Sequence, residues 1–116
     1  MKIGIDLVNI PEIERAIKKR PRFATRFFSE DEIKYCESKP NPSKHYAARF
    51  AAKEAYIKAT GYNGRWKTLE VLTPPNSSPI IQPSTNNQQP TTISLSLTHS
   101  GNYAAAVILV EDTQEN

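Results

Sequence analysis

The chain has a single cysteine, Cys36, among 116 residues. One thiol excludes an internal disulfide framework and a cysteine metal cluster, and it fits a reduced compartment. No run of about 18 apolar residues exists, so no membrane span is expected. The N-terminus passes from Met1-Lys2 straight into Ile3-Gly4-Ile5-Asp6 without the apolar core of a signal peptide. The expected address is therefore cytoplasmic, with no membrane partner. No internal repeat is visible. The composition is neither extremely charged nor poor in apolar residues, which argues against a disordered chain. At this length one small domain with a modest core is expected.

The formal net charge is only +3, but its distribution is uneven. Between Arg15 and Arg26 stand six basic residues (Arg15, Lys18, Lys19, Arg20, Arg22 and Arg26) and no acid. The end of the chain, from Glu111, is acidic. A basic cluster suits an anionic partner, whether nucleic acid, a phosphorylated ligand or an acidic protein; it equally suits a solvated helix face. Nucleic acid is disfavoured, because the aromatic-basic interleaving of single-strand platforms is missing and no reading helix stands out.

Lys2 to Val8 alternates as a strand does, with Ile3, Ile5 and Leu7 on one face and Gly4, Asp6 and Val8 on the other. Pro11 suits a helix start, and that helix should stop near Lys19, before Pro21. Ser29 followed by Glu30, Asp31 and Glu32 reads as an N-cap with acids in the first turn of a helix reaching Ser38. Ser43 is a candidate cap for a long helix ending near Gly61. Thr68 to Leu72 is a short strand. The stretch 73–92 holds five of the nine prolines and reads as a long exposed loop, with a short edge strand at Ile80-Ile81. Ile93 to His99 alternates, Ser100-Gly101-Asn102 turns the chain, and Tyr103 to Val110 is nearly all apolar; the pair reads as an antiparallel hairpin. The order of one strand, three helices and then strands makes an α+β domain over 1–111, followed by a frayed tail at 112–116.

Two carboxylates stand where apolar residues are expected. The helix around Glu54 shows no plain solvent face, because Ala48, Ala52, Ala55 and Ala59 line one side and Ala47, Phe50 and Ile57 surround the glutamate. A carboxylate so placed must be paired, protonated or bound to a metal. Asp6 sits inside a strand among apolar neighbours, where aspartate is disfavoured. The two could converge on a hard cation such as Mg²⁺, which takes one or two carboxylates, waters and phosphate oxygens. Nearby lysines would answer the phosphate charge. Equally, Glu54 and Lys58 can be an ordinary i, i+4 pair, worth roughly 0.2–0.5 kcal/mol, and Asp6 can cap a turn. His99, at a strand end, could be a base, a phosphate ligand or a hydrogen-bonded strand residue. His45 draws less interest. Gly61-Tyr62-Asn63-Gly64 lacks the lysine and spacing of a P-loop.

Three blocks together resemble the holo-acyl-carrier-protein synthases, the short bacterial type of 4′-phosphopantetheinyl transferase. They are GIDLV at the N-terminus, RFAAKEAYIKATG in the middle and SLTHSGNYAAA near the C-terminus. The family signature of an aromatic residue, two positions, Lys-Glu-Ala, two positions and Lys is met by Phe50, Lys53, Glu54, Ala55 and Lys58, and the family's Gly-x-Asp by Asp6. The resemblance implies a small domain with a mainly antiparallel sheet packed on a long central helix. It implies transfer of 4′-phosphopantetheine from coenzyme A to a serine of apo-acyl carrier protein, releasing adenosine 3′,5′-bisphosphate, in support of fatty acid biosynthesis. Asp6 and Glu54 would bind Mg²⁺ and, with Lys58, form the catalytic group; Lys53, Lys58, Gly61 and His99 would contact the coenzyme. Arg15, Lys18, Lys19 and Arg22 would dock the acidic carrier protein, and a homotrimer with sites between subunits is implied.

The chain departs from the family pattern in three places. Asn9 and Glu12 replace an acid and an arginine after the aspartate, with Arg15 one turn on as a substitute for the latter. The stretch from Ser77 to Pro90 lacks both a Gly-Lys-Pro and the pattern of a further helix. Gly61-Tyr62-Asn63-Gly64 replaces a closer Gly-Thr-Gly. These departures leave two alternatives open: a degenerate member that keeps only the fold, or a basic binding module without catalysis.

Overall fold

The structure, a computed structural model, describes residues 1–83 and 91–112. Three strands form an antiparallel sheet: β1 (Lys2–Asn9) on one edge, β5 (Tyr103–Asp112) in the centre and β4 (Thr91–Ser100) on the other edge. The hairpin between β4 and β5 turns at Gly101, whose φ of 58° needs no Cβ to avoid. A second, two-stranded antiparallel sheet joins β2 (Leu69–Leu72) to β3 (Ile80–Pro83). The antiparallel α+β architecture expected from the sequence is thus the one observed. The edge strand expected at Ile80-Ile81 is β3, and the alternating strand begins at Thr91, inside the stretch read as loop. Residues 84–90, the rest of that loop, and 113–116 of the expected tail lie outside the described residues; Asp112 ends β5.

Four helices cross between β1 and β2: α1 (Ile10–Lys19), α2 (Phe23–Phe27), α3 (Glu30–Glu37) and α4 (Pro42–Thr60). Asn9 ends β1 and caps α1 at once, its side chain accepting from the Glu12 amide at 3.0 Å. Ser29 is the N-cap expected from the sequence, and with Glu32 it forms a full capping box. Gly61 ends α4 in the left-handed region at φ 72°. Two readings need correction. Ser43 does not cap α4: the cap position is Asn41, without a side-chain bond, and Pro42 opens the helix. The three helices read from sequence are four, because α2 is a five-residue turn with no capping side chain. It is held by aromatic contacts of Phe23 and Phe27 with Phe50 and of Phe27 with Trp66, which periodicity cannot reveal.

The long helix α4 lies across β1 and β5. Ala51, Ala52, Ala55 and Ala59 are buried there against Ala106 and Ile108. Small residues let the helix come close, and Gly4 closes the gap further: a Cβ at that position would collide with the Ala55 carbonyl and press on Ala59. Because Gly4 faces the helix, Asp6 and Val8 face it too, and the odd residues face away. Ile3, Ile5 and Leu7 are 63–65% exposed. Their partners on β5, Leu109, Val107 and Ala105, extend this outer face, while β4 offers Ser94, Ser96 and Thr98 on the same side. The apolar outer face is therefore confined to β1 and β5.

A second constraint sits on the far side of α4. The Lys53 ammonium, with no exposure, donates to Glu32 Oε1 at 2.7 Å, to the Phe27 carbonyl at 2.6 Å and to the Trp66 carbonyl at 3.0 Å. Glu32 Oε2 accepts from the Val71 amide at 2.8 Å and Oε1 from Ser29 at 2.9 Å. Burial pushes the Lys53 ammonium below its ordinary pKa, and Glu32 opposes that shift.

Breaking this pair leaves a buried charge alone. Lys53→Met is expected to lose about 3–5 kcal/mol in chemical denaturation, and the double variant Lys53→Met/Glu32→Gln to lose less than Lys53→Met alone. Gly4→Ala is expected to cost about 1–3 kcal/mol by overpacking against a backbone carbonyl that cannot swing aside; an unchanged denaturation midpoint would show that α4 does not press on β1.

Candidate active site

Asp6 on β1 and Lys58 on α4 meet across the sheet-helix boundary. The Lys58 ammonium donates to Asp6 Oδ1 at 3.0 Å and to the Ile5 carbonyl at 3.1 Å. The Asp6 side chain is 14% exposed and that of Lys58 55%. Glu54 lies one turn before Lys58 on the same helix face. Burial raises the Glu54 carboxyl above its ordinary pKa, the Asp6 charge raises it further, and Lys58 pulls it back. The structure thus brings together Asp6, Glu54 and Lys58, the three residues expected to carry the chemistry. Gly61 follows at the end of the same helix, its amide bonded to the Ile57 carbonyl at 2.8 Å.

Two carboxylates that repel each other beside a half-exposed ammonium suit a hard divalent cation. Among the described residues no three His, Cys, Asp or Glu side chains gather into a metal cage. Asp6 and Glu54 alone fit Mg²⁺, which keeps most of its shell for water and substrate oxygens. A soft or borderline metal would ask for nitrogen or sulfur donors that are not at hand.

Lys53 does not join this group. It was expected to reach a phosphate, but it points to the other side of α4 and its three protons are taken by Glu32, Phe27 and Trp66. The Lys-Glu dipeptide therefore splits between two jobs, since adjacent helical residues diverge by about 100°.

His99 also lies apart from Asp6. In the sheet it pairs with Ala104, while Asp6 pairs with Ala106 and, through it, lines up with Leu97. His99 opens onto a cleft of about 170 Å³ between α3, α4, the segment after β2, and β4. Arg49, Thr73, Tyr35 and His45 line the same cleft. The Arg49 guanidinium, 3% exposed, stacks over Tyr35 at 4.2 Å and donates through Nη2 to Thr73 at 2.8 Å, yet its Nε has no partner. No carboxylate pairs with it among the described residues. Sequence reading passed over Arg49 and His45. The available signal was their i, i+4 spacing on the face of α4 opposite Glu54 and Lys58.

Arg15, Lys18 and Lys19 of α1, and Arg22 in the turn after it, are all exposed, while Ile13 on the other side of α1 is buried. Among the described residues Lys18 is the one of the four in an ion pair, with Glu14 at 3.2 Å, a surface pair of little energetic weight.

Comparison with known proteins places this geometry. A holo-(acyl-carrier-protein) synthase of Chloroherpeton thalassium is 39% identical over 119 residues, covering 96% of this chain and 98% of its own. A protein of the same name from Moorella thermoacetica is 38% identical, covering 97% and 95%. Among solved structures, the holo-(acyl-carrier-protein) synthase of Bacillus anthracis str. Ames, in complex with CoA (3′,5′-ADP), superposes with a TM-score of 0.82 at 30% identity over 97% of this chain and 96% of that one. The Helicobacter pylori synthase in complex with coenzyme A gives 0.78 at 33% identity, covering 94% and 99%. The family description "4′-phosphopantetheinyl transferase superfamily" matches residues 2–108. With nearly the whole chain matched, and with Asp6, Glu54 and Lys58 gathered at one site, this chain belongs to the 4′-phosphopantetheinyl transferase superfamily.

Proposed function

We propose that this chain is a Mg²⁺-dependent holo-acyl-carrier-protein synthase. It transfers 4′-phosphopantetheine from coenzyme A to a serine hydroxyl of apo-acyl carrier protein and releases adenosine 3′,5′-bisphosphate. The observation that carries this reading is the convergence of Asp6, Glu54 and Lys58. In the reaction the serine hydroxyl gives up its proton to solvent as its oxygen forms a bond to the phosphorus that bears pantetheine, and the bond from that phosphorus to the bridging oxygen breaks, the oxygen leaving with adenosine 3′,5′-bisphosphate. Negative charge gathers on the pyrophosphate as this happens. Asp6 and Glu54 would hold Mg²⁺, which when bound neutralises that charge and orients the phosphate oxygens. Lys58, more than half exposed, is free to pass from Asp6 to an incoming phosphate oxygen. The end of α4 at Gly61 leaves open space beside it for that group.

Carrier proteins of this kind are acidic, and the exposed cations Arg15, Lys18, Lys19 and Arg22 offer the complementary charge for docking. The outer face of Ile3, Ile5 and Leu7 supports assembly into a homotrimer, because an apolar patch on a sheet this thin is what a subunit interface covers. The cleft at Arg49 and His99 strengthens this reading. It opens on the side of α4 opposite Lys58, so a coenzyme that touches both kinds of surface would lie between two copies.

Mass spectrometry of an apo-acyl carrier protein incubated with the chain, coenzyme A and Mg²⁺ should show the gain of one 4′-phosphopantetheinyl group. Glu54→Gln or a chelator should reduce the rate at least about 100-fold, a loss on the scale of removing electrostatic stabilisation in the transition state. Modification at full rate with chelator, or by Glu54→Gln, would refute the metal role. The same variant should melt no lower than the parent without metal. A carboxyl raised on folding is charged at a cost, so stability is lost as pH rises through the interval above its ordinary value of 4.5, and the glutamine escapes that loss. Ile5→Glu should shift sedimentation from trimer towards monomer and lower transfer activity together; full activity in a monomer would remove the intersubunit site.

A further inference from the structure

Gly61-Tyr62-Asn63-Gly64, where the chain departs from the family pattern, carries a fastening of its own. Tyr62 is half-buried, with its ring edge-on to Tyr56 at 5.8 Å. Its hydroxyl reaches across Gly64, donates to the Arg65 carbonyl at 3.0 Å and lies 3.0 Å from Thr68 Oγ1. The same carbonyl accepts from Thr68 Oγ1 at 2.8 Å and from the Thr68 amide at 3.2 Å. At the helix end the Tyr62 amide donates to Thr60 Oγ1 at 3.1 Å, and that hydroxyl donates to the Tyr56 carbonyl at 2.8 Å. Gly64 makes room for this clasp. Its φ is not in the left-handed region, but a Cβ there would collide with the Tyr62 hydroxyl and ring. Gly64 and Tyr62 are thus a matched pair.

What the clasp holds is a wall. Between Phe50 and Lys58 the residues of α4 left partly open are Phe50, Glu54, Ile57 and Lys58, which at this spacing form one strip. Asp6 of β1 borders the strip at Lys58. Trp66 borders it at Phe50, ring to ring at 4.9 Å, from the side where Lys53 fixes the Trp66 carbonyl at 3.0 Å. The segment from Gly61 to Trp66 therefore runs back along α4 from beyond Lys58 to Phe50, across the strip from β1. One end is tied by the helix and the other by the buried ion pair; Asn63, Gly64 and Arg65 between them are exposed. We infer that Tyr62 is a positioning residue for coenzyme A: its hydroxyl fixes this wall and so preorganises the groove in which Glu54 and Lys58 meet the pyrophosphate. The role rests on the transferase reading and adds to it a side chain that acts through the wall. The wall concerns the coenzyme because it leaves α4 at Gly61, one turn beyond Lys58 and beside open space, whereas the cations offered to the carrier protein lie on α1 and the turn after it. A loosened wall must be ordered as the coenzyme binds, which weakens binding. Asp6, Glu54 and Lys58 stand on β1 and α4 themselves, so the chemical step is unchanged once the coenzyme is seated.

The test is steady-state transfer by the full chain with Mg²⁺, coenzyme A and an apo-acyl carrier protein, each substrate varied in turn, with the melting temperature of every variant measured beside it. Tyr62→Phe keeps the ring and should raise KM for coenzyme A about three- to tenfold, the scale of one hydrogen bond. Its kcat and its KM for the carrier protein should stay within about twofold of the parent, the pattern of lost ground-state binding. Thr68→Val removes the other end of the clasp and should do the same. Gly64→Ala should raise KM for coenzyme A in the parent and add nothing in Tyr62→Ala, where the groups it collides with are gone. An unchanged KM for coenzyme A in Tyr62→Phe or in Thr68→Val overturns the proposal while leaving the transferase reading intact. A fall in kcat that follows a lowered melting temperature, with KM unmoved, makes the clasp merely structural and overturns it too. A rise in KM for the carrier protein alone puts the wall against that partner and overturns the coenzyme assignment. An equal effect of Gly64→Ala in both backgrounds overturns the pairing of Gly64 with Tyr62. Absence of transfer by the parent chain would bring down the transferase reading and this proposal together.

Discussion

The structure turns on one buried ion pair. Lys53 and Glu32 are almost without exposure, and between them they hold the end of α2, the start of α3, the turn at Trp66 and the Val71 amide of β2. A buried pair is costly to desolvate and persists only where its remaining donors and acceptors are met. Here they are met by backbone groups from four different segments. The pair therefore does more than hold two helices together. It fixes the rotation of α4 about its own axis, and that rotation decides what each helix face presents.

With the rotation fixed, α4 serves three environments at once. Its alanines lie on β1 and β5, Glu54 and Lys58 face Asp6, and Arg49 with His45 lines the cleft beside β4. At about 3.6 residues per turn, Arg49 and Lys58 fall on opposite sides. One helix thus presents two polar surfaces on different faces, while the outer face of β1 and β5 stays apolar and exposed.

Much of this was legible in the sequence where a local rule acts. The Ser29 cap, the Gly61 stop, the hairpin at Gly101 and the oddness of Asp6 and Glu54 each depend on residues a few positions apart. What was not legible depends on distant partners. Lys53 resembles a phosphate ligand because it adjoins Glu54, and only its contacts with Glu32, Phe27 and Trp66 show that it is a core residue. The α2 turn carries no cap and exists because aromatic rings from elsewhere pack on it. Arg49 reads as an ordinary helical arginine until Tyr35 and Thr73 are brought to it. The alternation of β1 was plain, yet its two faces could not be assigned from hydropathy. The side holding Ile3, Ile5 and Leu7 is the more apolar, and it is the side that faces away from the helix.

That inversion explains the place of Gly4. A strand whose larger apolar residues point outward needs some other reason to lie on a helix, and it finds one in closeness. Without a side chain, Gly4 lets the backbone of β1 touch the backbone of α4 at Ala55. Asp6 follows on the same face, so the approach that Gly4 permits also carries the aspartate to Lys58 and within the influence of Glu54. A slip of one residue in the register of β1 would bury isoleucine against the helix and turn Asp6 outward. Such a strand would gain core and lose the site. The sequence of β1 accordingly gives up the ordinary hydrophobic drive of an inward face, and leaves Ile3, Ile5 and Leu7 on the exposed outer one.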